Sequence, residues 1–144
     1  MAVRFARLNR DAQIPKQGKP GDVGLDLFTL GTHMVEPGSF VDVPCGVRVA
    51  FDPGWWGHIV ARSSTYRHRG LLVVSGVIDS GYTGPLFVGV VNQGPDPMLV
   101  EHGDRLGQMI LMANYTDVAV IKEISLEDMP VTERGQDGFG STGR

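Results

Sequence analysis

Most of the chain alternates apolar and polar residues with a period of two. In Val47-Arg48-Val49-Ala50-Phe51 both valines and Phe51 fall on one face, as a half-buried strand requires. Runs of the same kind cover residues 3–8, 25–30, 39–43, 58–61, 71–74, 86–92, 106–112 and 117–121. Turn residues separate them, as in Glu36-Pro37-Gly38, Asp52-Pro53-Gly54, Gly81 to Pro85, Gln93 to Pro97 and Glu101-His102-Gly103-Asp104. Only 63–69 reads as a short helix. Many short strands at close spacing predict an all-β barrel, sandwich or jelly roll, with no internal repeat.

The alternation stops at Glu133. Residues 133–144 hold four glycines, one aromatic and no apolar period. Such a segment cannot order itself around a core, so the pattern predicts a β domain over 1–132 and a mobile arm over 133–144. The arm's groups suit binding: Phe139 offers a flat face for a base, while Arg134, Ser141 and Thr142 offer donors. A plain disordered terminus is the competing interpretation.

Composition narrows the class. A chain of 144 residues with 42% hydrophobic content makes one compact domain with a real core. The net charge of −3 offers no general attraction to nucleic acid or anionic membrane, so neither is an expected partner. The single cysteine, Cys45, excludes an internal disulfide and fits a reducing compartment as a small strand residue. Without a membrane-length apolar run or a secretory signal, the expected product is soluble, intracellular and cytoplasmic. His33, His58, His68 and His102 show no metal-ligand spacing, and neither a phosphate-binding P-loop nor a serine-hydrolase elbow is present. Arg67-His68-Arg69 reads as solvated surface.

Four segments concentrate polar groups where a sandwich would have ordinary turns. In Gly21-Asp22-Val23-Gly24-Leu25-Asp26-Leu27, Asp26 sits between apolar residues and needs a partner inside, structural or functional. Arg62-Ser63-Ser64 closes a strand and opens the helix; it can grip a phosphate or simply cap the helix with a surface arginine beside it. In Gly76-Val77-Ile78-Asp79-Ser80-Gly81-Tyr82-Thr83-Gly84, Asp79 is either a turn residue or a general base, with Tyr82 able to lie against a sugar. In Gly103-Asp104-Arg105-Leu106-Gly107-Gln108, Gln108 is polar within an apolar strand and predicts a specific hydrogen bond, while Asp104-Arg105 reads as a turn with its own ion pair.

In this order and spacing the four segments, with Arg134-Gly135 and Gly138-Phe139-Gly140-Ser141-Thr142-Gly143 as a fifth, resemble the five motifs of the trimeric dUTPases over nearly the whole chain. The resemblance implies a β jelly-roll subunit with at most one short helix, and a homotrimer whose active sites draw on more than one chain. It implies hydrolysis of dUTP to dUMP and pyrophosphate, with Asp79 accepting a proton from the attacking water. Tyr82 would pack under the deoxyribose and the backbone of Gly76, Val77 and Ile78 would read uracil. Arg62, Ser63, Ser64 and Gln108 would hold phosphates. Phe139 would stack on uracil, with Arg134, Ser141 and Thr142 on the terminal phosphates and Gly140 among the substrate-binding residues. Mg²⁺ would be held by the triphosphate and waters, with Asp26 near it and no direct protein ligand.

Three departures carry weight. Ser64 stands where most dUTPases have glycine, and Arg-Ser-Ser is shared with the related dCTP deaminases. Those enzymes carry a catalytic glutamate on the strand after the third motif, where this chain has Gly89, which disfavours deamination. Gly81 and Pro85 are unusual around the third motif and bear on its turn. A nucleotide-gated regulatory protein is the remaining alternative.

Overall fold

The computed structural model describes residues 1–137, so the expectations on Phe139, Gly140, Ser141 and Thr142 lie outside the described residues. In chain order the elements are β1 (Val3–Arg7), β2 (Gly24–Phe28), β3 (His33–Val35), β4 (Phe40–Phe51), β5 (Trp55–Ala61), α1 (Thr65–Arg69), β6 (Leu71–Val73), β7 (Gly76–Ile78), β8 (Pro85–Asn92), β9 (Met98–Val100) and β10 (Arg105–Ala113). A 3-10 turn follows at Leu126–Asp128. Two four-stranded antiparallel sheets form, in the orders β1-β4-β8-β6 and β2-β10-β5-β7, beside a two-stranded ribbon β3-β9. The all-β expectation with one short α-helix is met. Among the described residues the sheets stay open and do not close into one barrel.

Alternation decides what each sheet buries. Val43, Val47, Val49 and Phe51 of β4 and Leu86, Val88 and Val90 of β8 point inward. They meet Leu27, Ile59, Leu106 and Met109 of the opposite sheet in one core. The sheets approach most closely where side chains vanish. A Cβ on Gly107 would stand 3.0 Å from Val88 Cγ1, and one on Gly57 only 2.9 Å from Phe51 Cζ, both across the gap between the sheets. The expected strands 39–43 and 47–51 fuse into β4, whose register with β8 shifts between Pro44 and Arg48. Gly46 makes that bend possible: its φ is 68°, and a Cβ there would meet Leu30 Cδ2 at 2.7 Å.

One expected strand fails. Residues 117–121 form no strand, and Val118, Val120 and Ile121 are exposed. Alternation states only that one face wants cover, and no strand among the described residues pairs with this segment. Conversely, β3 and β9 were unforeseen because three residues are too few to show a period.

Candidate active site

Asp26 is the best-buried carboxylate of the polar segments. Strand β2 places it on β10's flank, opposite Gln108. Its two oxygens accept separately, Oδ1 from Arg62 Nε at 2.8 Å and Oδ2 from Arg105 Nη1 at 3.1 Å. The expected partnering of Asp26 is therefore met by two guanidiniums. Arg105 is a correction: the turn ion pair expected with Asp104 does not form. Asp104 takes Arg69 instead, at 2.6 Å, and Arg105 crosses to Asp26. The cause is local. The β2–β10 register slips between Arg105 and Gly107, and such a bulge re-aims one side chain.

The Arg69 hydrogen bond also holds the Asp104 carboxyl below its ordinary range, and the same bond raises the Arg69 guanidinium. Gln108 donates from Nε2 to the Ala61 carbonyl at 3.0 Å, the specific bond that a polar residue in an apolar strand predicts. Its carboxamide lies against Gly24, where a Cβ would overlap it. Ser64 sits at the start of α1 without a side-chain capping bond; Thr65 anchors the helix instead, donating from Oγ1 to the Leu106 carbonyl at 2.6 Å.

These residues share a cavity of about 510 Å³. Asp26, Arg62, Ser63 and Gln108, four of the expected site residues, line it together with Arg105, Asp22 and Lys19, to which the sequence assigned no ligand. Arg62 and Arg105 also border a second hollow of about 270 Å³ with Ser64, His68 and Arg69. Arg105 lies inside one of the four polar segments, but the sequence alone pairs it with its neighbour. Asp22 lies inside another of those segments without a role read for it, and Lys19 lies in the loop before it, which has no periodic signal.

The third segment is built differently. β7 is an edge strand, paired with β5 through Ile59↔Gly76, His58↔Val77 and Gly57↔Ile78, and its other edge has no strand beside it among the described residues. Its alternation divides the segment. Gly76, Ile78 and Tyr82 border a cavity of about 200 Å³ with Phe40, Asp42 and Phe87. Val77 and Asp79 face another of about 380 Å³ with Trp56 and Tyr115. Asp79 is exposed and its carbonyl accepts from Tyr82 N–H at 3.0 Å, closing the turn. Tyr82 donates from its hydroxyl to the Pro85 carbonyl at 2.7 Å, which fixes the ring over Gly84. Pro85 fits because it opens β8, where a missing N–H breaks no ladder bond in a strand interior. Gly89 on the same sheet lies under Phe40, whose exposed ring would stand 2.9 Å from a Cβ and would have to swing aside for a longer side chain.

Within one chain, then, the phosphate-type groups and Asp79 line different cavities. Arg134 lies in an exposed turn and donates from Nε to the Asp137 carbonyl at 3.0 Å. No helix among the described residues is long and apolar enough to cross a membrane. No group of three His, Cys, Asp or Glu side chains gathers at metal-binding distance among them.

Comparison with known proteins gives one family. The dUTPase family model matches residues 10–143. The deoxyuridine 5'-triphosphate nucleotidohydrolase of Desulfitobacterium hafniense is 36% identical over 98% of this chain and 94% of its own length. That of Cutibacterium acnes is 38% identical over 90% of this chain and 85% of its own length. Among solved structures, a point mutant of the Staphylococcus bacteriophage 80alpha dUTPase with dUpNHpp superposes with a TM-score of 0.87 at 22% identity, covering 99% of both chains. A point mutant of the dUTPase from phage phi11 of S. aureus, described with a structural Mg(II) ion, gives 0.81 at 20% identity over 90% of this chain and all of its own. The solved structures fix the fold, and the family model and the bacterial relatives fix the kinship: the chain belongs to the dUTPase family.

Proposed function

We propose that this chain hydrolyses dUTP between the α and β phosphorus atoms, giving dUMP and pyrophosphate, as a homotrimer acting with Mg²⁺ in the cytoplasm. The observation that carries the proposal is the phosphate end of a dUTPase-family chain. Asp26, Arg62, Ser63 and Gln108 come from three separate segments and line one cavity.

Phosphoryl transfer asks the protein for in-line positioning and for charge neutralisation, not for covalent chemistry. Arg62 commits Nε to Asp26 and Nη1 to the Arg105 carbonyl, and so holds its guanidinium in a fixed direction with Nη2 left for phosphate oxygens. Ser63 and Ser64 add hydroxyl donors, and Gln108 is held by Ala61. Asp79, exposed at the end of β7, is the general base that takes the proton of the attacking water. The open edge of Gly76, Val77 and Ile78 offers main-chain donors and acceptors to uracil. Tyr82, fixed through Pro85, lies under the deoxyribose and leaves no space for a 2′-hydroxyl. Beyond residue 132, Arg134, Phe139, Gly140, Ser141 and Thr142 form an arm that closes over base and terminal phosphates and excludes water.

The cation fits the donor set without a dedicated cage. Asp26 is engaged by two arginines, and the oxygen groups near it suit a hard ion carried by triphosphate and water. When bound, Mg²⁺ supplies charge neutralisation and a lowered water pKa. Assembly from several copies accounts for two observations together. One chain separates Asp79 from Arg62, and it exposes Val118, Val120, Ile121 and Leu126 beyond β10, with Phe40, Leu72 and Phe87 on an outer sheet face.

Product analysis tests the proposal, with dUTP, dCTP, dTTP and UTP supplied separately with Mg²⁺. Release of dUMP and pyrophosphate from dUTP alone is expected. Ammonia from dCTP would instead establish deamination, and silence on all four would leave a binding protein. A sedimentation mass other than three chains would overturn the trimer, and a wild-type rate in Phe139→Ala would remove the arm from the mechanism.

A further inference from the structure

We infer that Lys19, in the loop before β2, is a phosphate-binding residue that sets the sign of the phosphate cavity; this rests on the dUTP-hydrolase reading above. The cavity is lined by three cationic side chains, Lys19, Arg62 and Arg105, and two carboxylates, Asp22 and Asp26. The arginines are both paired to Asp26, at 2.8 and 3.1 Å. Remove Lys19 and the formal charge of the lining is zero, a poor match for a triphosphate or for pyrophosphate. With Lys19 it is positive, and among the described residues Lys19 makes no ion pair of its own.

The loop is built to hold that position. Asp22 folds back on it, with Oδ2 accepting from the Lys19 N–H at 2.8 Å, while the Asp22 N–H donates to the Lys19 carbonyl at 3.1 Å. Gln17 donates to the Asp22 carbonyl at 2.8 Å, and the Asp26 N–H donates to the Lys16 carbonyl at 2.8 Å, which fastens the loop to β2. Gly18 lies between both carboxylates: a Cβ there would sit 3.0 Å from Asp22 Oδ2 and 3.5 Å from Asp26 Oδ2. Of the loop's two lysines, Lys16 is already occupied, its ammonium 5.9 Å from the centre of the Phe28 ring. Lys19 is the one left for a ligand. Its main chain is braced while its side chain keeps the reach of a flexible point charge, which suits phosphate groups that move between substrate and leaving pyrophosphate.

The test compares wild type, Lys19→Gln and Lys19→Arg. Steady-state kinetics on dUTP are combined with calorimetric titration of Mg²⁺-pyrophosphate and of deoxyuridine, which carries no phosphate. Lys19→Gln should raise KM for dUTP and weaken pyrophosphate about three- to tenfold, as loss of one partly exposed charge contact does. Its deoxyuridine affinity and melting temperature should stay at the wild-type values, and Lys19→Arg should restore most of the loss. Equal pyrophosphate affinity in wild type and Lys19→Gln overturns the inference, as does an equal loss in Lys19→Arg, which would mark a structural effect. A wild-type chain that binds pyrophosphate through Lys19 but leaves dUTP intact would overturn the functional reading and keep this one.

Discussion

Asp26 and Asp79 both stand in short apolar strand segments, yet their surroundings are opposite. Asp26 is buried, faces its cavity between two guanidiniums, and has each oxygen engaged. Asp79 is exposed at the end of a three-residue edge strand. The proposed phosphate end is cross-braced by β2, β5 and β10 and by Arg69–Asp104, whereas the proposed nucleoside end hangs on one strand pair and a turn. Positioning of charge is preorganised within a single chain; among the described residues the carboxylate proposed as the base has no charged partner. A base that must receive a proton gains nothing from guanidinium partners, which would hold it ionised and weakly basic. A phosphate grip gains from rigidity, because donors already oriented need no reordering when the charge arrives.

Exchanging the two carboxylates for amides should therefore give opposite phenotypes. Asp79→Asn is expected to lower turnover by about 10²- to 10⁴-fold, the usual worth of a positioned base. Its dUTP affinity and melting temperature should stay near wild type, measured by pyrophosphate release, calorimetry and thermal melting. Asp26→Asn should cost stability as well as binding, because two half-exposed arginines lose their shared partner. After allowance for solvent screening the loss is about 2 kcal/mol, roughly a 5 °C fall in melting temperature. If Asp79→Asn melts lower than Asp26→Asn, the contrast between the two ends is wrong.

Most of the contrast was legible in the sequence, and its gaps have physical causes. Gln108 inside Leu106-Gly107-Gln108-Met109-Ile110 announced a specific bond, and Ala61 supplies it. Asp26 between Leu25 and Leu27 announced burial with a partner. The identity of the second partner was hidden, because a bulge at Arg105 follows from how β10 meets β2 and not from local pattern. Lys19 was hidden for a similar reason: its place at the cavity comes from the fold-back of Asp22, and loops carry no period. Residues 117–121 show the reverse error. Their alternation is real, but a strand also needs a partner edge, and the sequence of one chain does not say where that edge is.

At the nucleoside end, Gly84 sharpens the comparison. A Cβ there would overlap the Tyr82 phenol ring, and the Tyr82–Pro85 bond leaves that ring little freedom to retreat. Gly84→Ala should thus leave the phosphate end intact and relax sugar selection. The ratio of kcat/KM for dUTP over UTP is expected to fall about tenfold, within the range that steric selection in a pocket supplies. An unchanged ratio would detach Tyr82 from sugar recognition.

The smallest effect concerns the brace beside the phosphate grip. Arg69 donates to Asp104 at 2.6 Å, and the Glu101 N–H donates to the same oxygen at 2.9 Å, so the folded chain holds this carboxyl below its ordinary range. A group whose pKa is lower folded than unfolded stabilises the fold above the unfolded value and loses that contribution as pH falls through the folded one. The pair is partly exposed, so its worth is at most about 1 kcal/mol and salt screens it. Asp104→Asn should melt a few degrees below wild type at neutral pH. The gap should narrow as pH drops below the usual carboxylate range of about 4, and narrow again at high salt. Because this pair lines the second hollow together with Arg62 and Arg105, the same variant should bind pyrophosphate slightly less well while its deoxyuridine affinity does not move. A pH-independent gap would mean that the carboxylate's bonds to Arg69 and Glu101 do not carry the effect, and that the proposed phosphate end owes its rigidity to Asp26.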